Sequence, residues 1–247
     1  MSLDGIVVPK GWELVKISNI GDVITGSTPS TSNLEYYGND FPFYSPSDLN
    51  SNIEISRANK GLSHKGLEVA RKIPEDSILV QCIGDLGRCN IIKKTGACNQ
   101  QINVIIPNKK LVIPKFVYFW IKSAYFNYLM KQESSKTTLP ILNKSKFRNL
   151  PFLRPSIDIQ KTIIQKLDHI LGELEVKKKE IISLIEQNKQ RIDFFEKNWI
   201  NYIISTLIPK KEIPNGWSLL PLSEICNVER GKFGHRPRND PAFYGGK

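Results

Sequence analysis

Asp168, Glu175 and Lys177 are spaced as Asp…Glu-x-Lys, two carboxylates and a lysine in an order that metal-dependent nuclease chemistry can use. Such chemistry needs the carboxylates to converge on one cation that activates water against a phosphodiester. Here they lie in a charge-rich, heptad-patterned stretch, where such residues form a solvated helix face, and the expectation is no catalytic residue and no metal site. His64, His169 and His235 are far apart and lack the serine or cysteine context of a triad. Cys82, Cys89, Cys98 and Cys226 include no Cys-x-x-Cys pair and no nearby histidine cluster, so they read as free thiols in a reducing compartment. "GDLG" at Gly84–Gly87 reads as a turn. Neither a Gly-x-x-x-x-Gly-Lys-Ser/Thr loop, nor a Gly-x-Gly-x-x-Gly after a strand, nor the Asn-Pro-Pro-aromatic motif of amino-methyltransferases is present.

The remaining chemistry is recognition. The chain carries a net charge of +11, and the excess is uneven. Residues 1–155 hold 20 Lys/Arg against 12 Asp/Glu, residues 156–208 hold 8 of each, and residues 209–247 hold 7 against 4. A basic globular segment suits a polyanion. Nucleic-acid recognition needs cations for phosphates and amides, hydroxyls or guanidiniums for base edges. The polar loops supply Thr28, Ser30, Ser32, Asn33 and Tyr36, then Ser45, Ser47 and Asp48. Lys65 and Arg71 lie in a further polar stretch, Arg88 follows a glycine turn, and Lys136, Thr137, Lys144, Lys146 and Arg148 form a late basic cluster. Arg88 is the leading candidate for a base contact and Lys136 for a phosphate contact. Gln100 and Gln101 follow a turn and have two open roles, base contact or hydrogen bonding inside the domain.

These residues are positioned by a mixed α+β segment. Residues 27–52 are dense in Ser, Thr, Asn and Pro and read as loops. "SILVQCI" (77–83), "NIIKK" and "QINVIIP" read as strands, the last two bracketing a turn at Thr95–Gly96. Residues 114–132 start with proline, carry apolar residues three to four apart and predict one helix. No apolar run approaches the ~20 residues of a membrane helix, and "MSLDGIVVPK" has no signal-peptide pattern, so the cytoplasm is the expected location.

Residues 156–208 contain no proline and one glycine, Gly172. With Leu167 at d, the d series runs Leu167, Leu174, Ile181, Asn188, Phe195, Tyr202, and the a series Leu171, Lys178, Ile185, Ile192, Trp199, Thr206. An apolar stripe sustained over these heptads predicts a coiled-coil helix about 80 Å long. Such a stripe needs another long helix to cover it, with Asn188 as a register residue and Lys178 as a weak point in the seam. A hairpin broken at Gly172 is the competing arrangement.

The opening phrase also returns. "VPKGWELVKISNI" from Val8 matches "IPNGWSLLPLSEI" from Ile213, and over residues 8–26 and 213–231 the identical pairs include Pro9/Pro214, Gly11/Gly216, Trp12/Trp217, Ser18/Ser223 and Gly26/Gly231. A repeat of this period is too long for a solenoid and reads as a duplicated domain.

Five phrases in order, "PKGWELVKISNIGDVITGSTPS", "YYGNDFPFYSPSDL", "IGDLGRCNIIKKTGACNQQINVIIP", "TTLPILNKSKFRNLPFLRPSIDIQKTIIQKLDHIL" and "IPNGWSLLPLSEI…GKFGHRPRNDPAFYGG", resemble the specificity subunits of type I restriction–modification enzymes. The resemblance implies a target-recognition domain over 1–155, a long spacer and dimerisation helix over 156–208, and the start of a second recognition domain over 209–247. It implies double-stranded DNA, methyltransferase subunits and restriction subunits as partners. Methylation and cleavage belong to those partners, with S-adenosylmethionine, ATP and Mg there and no cofactor on this chain. Residues 213–247 are too few to complete a second recognition domain, which suggests a natural half-subunit, a frameshifted product or a fragment. Two copies pairing their helices antiparallel, as a homodimer, would then read an inverted repeat. A stand-alone coiled-coil DNA-binding dimer is the alternative.

Overall fold

The computed structural model describes residues 7–135, 137–207, 215, 216, 218 and 220–226. They form two compact units that divide between Glu175 and Val176.

The first unit contains, in chain order, β1 (Glu13–Lys16), β2 (Gly21–Thr25), β3 (Tyr37–Tyr44), β4 (Glu54–Ile55), β5 (Lys60–Leu62), α1 (His64–Val69), β6 (Ile78–Gln81), β7 (Cys89–Ile92), β8 (Ala97–Cys98), β9 (Ile102–Pro107), α2 (Pro114–Lys122), α3 (Ala124–Glu133), α4 (Lys144–Phe147) and β10 (Pro151–Arg154). α5 (Ile157–Leu207) begins in it. A five-stranded sheet has the order β2-β9-β6-β7-β4, a three-stranded sheet the order β5-β3-β8, and β1 pairs with β10.

Strand β6 is buried along its whole length, because successive side chains of a strand point to opposite faces and both faces here are covered. Ile78 and Val80 join Ile105, Phe116, Val117, Phe126, Phe147 and Phe152 in one core cluster. Leu79 joins Val104, Tyr44, Leu49 and Ile73 in a second. The apolar run Ile78–Val80 is what a doubly covered strand requires, and the strand closes on a buried Gln81.

Three expectations about local structure are corrected. The helix predicted over 114–132 is two helices. Ser123 takes an extended ψ of 145°, and its hydroxyl accepts from the Phe126 amide at 3.2 Å to cap α3. The same hydroxyl donates to the Trp120 carbonyl at 2.6 Å. Helical apolar spacing continues on both sides of Ser123, so periodicity alone does not show the corner. Residues 27–52, read as loops, contain β3. Its Pro42 pairs with β5, and β8 reaches only Phe43 and Tyr44, so the missing amide proton costs no bond to β8. The two strands flanking Thr95–Gly96 are separated by an additional short strand, β8, which pairs parallel with β3.

α5 runs without a break through Gly172, which removes the hairpin arrangement. Its first turn is tied down by Gln160, which is fully buried. The Gln160 carbonyl oxygen accepts from the Ile113 amide at 2.8 Å, and Nε2 donates to the carbonyls of Leu111 and Pro155, both at 3.0 Å. Sequence reasoning missed this residue, since a glutamine in a helix ordinarily faces water.

In the turn before β6, Asp76 adopts a left-handed φ of 64°. Its carboxylate accepts from Lys109 at 2.7 Å and from Lys93 at 2.8 Å. Those two bonds, Lys109 first, hold its pKa below the usual carboxylate range. A depressed folded-state pKa contributes stability above the unfolded value and loses it as pH falls through the folded value. Asp76→Asn keeps a residue that tolerates positive φ. It is expected to lower stability by about 1 kcal/mol at pH 7 and to make the acid loss of stability shallower, as read by urea unfolding from pH 7 to pH 2.

Among the described residues of the second unit are α5 from Val176 onward and a short α6 (Leu222–Ile225). The two copies of the repeat match locally. Gly11 and Gly216 both have positive φ, 83° and 91°. The helical turn at Ile17–Asn19 has its counterpart in α6, 205 residues later. Most of residues 209–247, with His235, Arg236 and Arg238, lies outside the described residues.

Candidate nucleic-acid interface

Antiparallel pairing of β2 with β9, β9 with β6 and β6 with β7 brings four strand ends to one edge of the main sheet: the ends of β2 and β6 and the starts of β7 and β9. The loops that leave these ends are bonded into one rim. The Gly26 amide donates to the Ile102 carbonyl at 3.0 Å, and the Cys82 amide to the Gln101 carbonyl at 3.1 Å. Leu142 donates to the Cys82 carbonyl and Gly84 to the Pro140 carbonyl, each at 2.9 Å, which adds residues 137–142 to the rim. Beneath it, the Thr25 hydroxyl donates to Asn103 Oδ1 at 2.7 Å, and Asn103 Nδ2 donates to the Leu142 carbonyl at 3.3 Å.

This rim gathers part of the candidate set. Thr28 and Thr137 lie on it, both exposed. Arg71 joins it through its amide, which donates to Ser27 Oγ at 2.9 Å, and its guanidinium, which donates to the Thr25 carbonyl at 2.7 Å. Ser30, Asn33 and Tyr36 continue along the loop after β2. The Asn33 side chain accepts from the Glu35 amide at 3.1 Å and caps a 3₁₀ turn that contains Tyr36. Lys65 stands beside this turn, its ammonium 2.9 Å from Glu35. The Ser47 hydroxyl pairs with that of Ser45 at 2.8 Å.

Arg88 lies on this rim as well, in the turn from β6 to β7, and its guanidinium is directed to the Leu49 carbonyl and sits 3.9 Å from Asp85. Other candidates separate. Asp48 is buried and accepts from the Ser45 amide and the Asn59 amide, both at 2.7 Å. It organises a turn and is not an exposed reader. Lys144, Lys146 and Arg148 sit on or just after α4, where the Ser18 amide donates to the Arg148 carbonyl at 3.0 Å. Ser18 precedes the start of β2, so Arg148 lies toward the end of the sheet opposite the rim. The Lys146 ammonium donates to the Glu133 carbonyl at 2.9 Å. Lys136 lies outside the described residues.

Gly26 explains why glycine stands at this point of the rim. A Cβ there would lie 2.2 Å from the Asn99 carbonyl oxygen and 2.3 Å from that of Cys98, closer than any real contact allows. Gly26→Ala is expected to push the 98–101 segment outward and to destabilise the first unit by about 1–3 kcal/mol, measured as a lower urea midpoint. DNA selectivity is expected to fall with it.

The nuclease-like pattern does not assemble. Asp168 binds Lys115 at 2.8 Å. Asp168 and Glu175 stand two helical turns apart on one helix, about 10 Å along its axis, too far to share a cation. Among the described residues no cluster of His, Cys, Asp and Glu could hold a metal ion. Burial pushes the thiols of Cys82, Cys89 and Cys98 up to about 12, which leaves them as protonated core residues at neutral pH.

Along α5, Leu167 is half-buried and Asn188 exposed. Leu171, Leu174, Ile181, Ile185, Ile192, Phe195 and Trp199 are 43–57% exposed in the single chain. Ile182 and Leu184, at the flanking e and g positions, are exposed beside them, so the apolar stripe is wider than the a and d positions alone.

A family model described as the type I restriction modification DNA specificity domain matches residues 9–187, the mixed domain and much of α5 together. The chain belongs to that family. It is 32% identical over 238 residues to the type I restriction enzyme MjaIX specificity subunit of Methanocaldococcus jannaschii, covering 91% of this chain and 54% of that one. It is 34% identical over 172 residues to the HindI specificity subunit of Haemophilus influenzae, covering 67% of this chain and 37% of that one. The chain thus spans about half the length or less of these curated relatives. Its fold matches the HsdS subunit from Thermoanaerobacter tengcongensis with a TM-score of 0.56 and 16% identity, over 71% of this chain and 41% of that one. A chain from a study of complex assembly and conformational transition of the type I R-M system matches with a TM-score of 0.58 and 18% identity, over 71% and 42%. At such identities these two matches concern the fold of this family member.

Proposed function

We propose that this chain is the DNA-recognition subunit of a type I restriction–modification complex. The observation that carries the reading is the family match over residues 9–187, which spans both the basic mixed domain and the long helix. In this reading the loops at the sheet edge read one part of a bipartite duplex target, and α5 sets the distance to a second reader. The apolar stripe of α5 is covered by the α5 of a second copy, antiparallel, and methyltransferase and restriction subunits dock on the assembly. Methyl transfer and cleavage take place in those subunits, with S-adenosylmethionine, ATP and Mg bound there.

The test is to incubate genomic DNA with the full chain and its partner methyltransferase subunit and to map the methylated adenines. The reading expects methylation in an inverted repeat with two identical half-sites at fixed spacing. Methylation independent of this chain would contradict it. Selective DNA binding by the chain without any methyltransferase association would favour the stand-alone dimer.

A further inference from the structure

We propose that Gln100, held in place by Thr28, is a base-reading residue of the recognition domain, and that it reads an adenine edge in the major groove. This rests on the DNA-recognition reading above and names one residue pair within it. Gln100 is exposed at the tip of the turn between β8 and β9. Its side-chain oxygen accepts from the Thr28 hydroxyl at 2.6 Å.

Both ends of that hydrogen bond stand on fixed backbone. On one side, the Asn99 amide donates to the Tyr44 carbonyl at 2.9 Å, and the Gln101 carbonyl accepts from the Cys82 amide. On the other, the Arg71 amide binds Ser27 Oγ at 2.9 Å, and the Tyr37 hydroxyl donates to the Pro29 carbonyl at 2.8 Å. The loop positions are thus set before any ligand arrives, and the 2.6 Å bond fixes which way the Gln100 amide points. The neighbouring amides do other work: Asn99 Nδ2 donates to Gln101 Oε1 at 3.3 Å, and Asn99 Oδ1 accepts from the Gln101 amide at 3.1 Å.

The chemistry left over at Gln100 is specific. A primary amide has two N–H donors and two acceptor sites. Thr28 occupies one acceptor site, and among the described residues Nε2 makes no hydrogen bond. A donor and an acceptor then lie side by side, the pair that adenine answers with N7 as acceptor and N6 as donor. Holding the amide beforehand removes the ordering cost that a free glutamine would meet on binding. Arg71, on the same rim, adds a cation for the phosphates.

The test is selection of duplexes from a randomised pool by the full chain, alone and with its methyltransferase partner, comparing base preference position by position. Gln100→Glu keeps the oxygen that accepts from Thr28 and exchanges the donors for a further acceptor. It is expected to move the preference at one position of the site from adenine toward cytosine, whose N4 donates, by about tenfold, with an unchanged urea midpoint. Thr28→Val is expected to relax discrimination at that same position several-fold, and Thr28→Ser to restore it. A loop staple with no reading role would shift the urea midpoint in Thr28→Val and leave every base preference of Gln100→Glu as in the wild type, and that result overturns the proposal. Absence of any base preference in the wild-type chain, alone and with its partner, removes the recognition reading itself and this proposal with it.

Discussion

In the proposed antiparallel pairing, replacing both Ile181 and Ile185 with aspartate is expected to leave the chain monomeric at micromolar concentration and to abolish selection of a two-part target. The two side chains lie one helical turn apart and are 56% and 50% exposed in the single chain. Burying an isoleucine stabilises by about 1.5–3 kcal/mol. Each is already about half covered in the single chain, so the four in two copies forfeit about 3–6 kcal/mol, and placing carboxylates in an apolar seam costs several kcal/mol more. A dimer with micromolar affinity is held by only about 8 kcal/mol, so it should not survive. The first unit should be untouched, because both residues lie beyond Glu175. Sedimentation velocity reads the mass and urea unfolding reads the recognition domain. A variant that stays dimeric would place the contact elsewhere on the chain.

The second large effect is expected at Gln160. Gln160→Ala leaves the Ile113 amide and the carbonyls of Leu111 and Pro155 without the partners they now have. Each buried polar group deprived of its bond costs about 1–3 kcal/mol, so the loss should be at least about 3 kcal/mol. In a chain of this size that lowers Tm by roughly 6–12 °C. Gln160→Glu retains the acceptor for the Ile113 amide but sets a carboxylate oxygen against two carbonyls. It should be no better than alanine at pH 7 and should improve at acid pH, where the carboxyl is protonated and can donate. Thermal unfolding at pH 5 and pH 7 separates these outcomes. Equal behaviour of the glutamate variant at both pH values would mean that the side chain fills space and its hydrogen bonds matter little.

What could be read before the fold was known follows from how local each signal is. The strand β6 and the helix α5 are written in consecutive residues, as an apolar run and as a heptad register, and both are present. The corner at Ser123 depends on one hydroxyl bonding in two directions, and apolar spacing carries no trace of it. Strand β3 hides within polar sequence because its first half is exposed or half-exposed, and its buried residues, Pro42, Phe43 and Tyr44, are confined to its end. The candidate polar loops are legible in composition, but their grouping is not. Arg71, Thr28 and Gln100 come together through pairings 44 to 72 residues apart. Lys144, Lys146 and Arg148, close to Thr137 in sequence, lead away toward the start of β2. Gln160 and Gly26 carry no local signal as structural posts. A glutamine gives no signal of burial, and only the second copy at Gly231 hinted at Gly26.

In the proposed assembly one chain supplies one reader, and its helix clasps a second copy to set the spacing. The deciding quantity is the mass of the complex that the full chain forms with a single selected duplex, measured by light scattering at micromolar concentration. Two 28.1 kDa chains per duplex, with the same stoichiometry for every duplex that keeps the half-site spacing, is the predicted result. One chain per duplex, bound with equal affinity when either half-site is deleted, would contradict it.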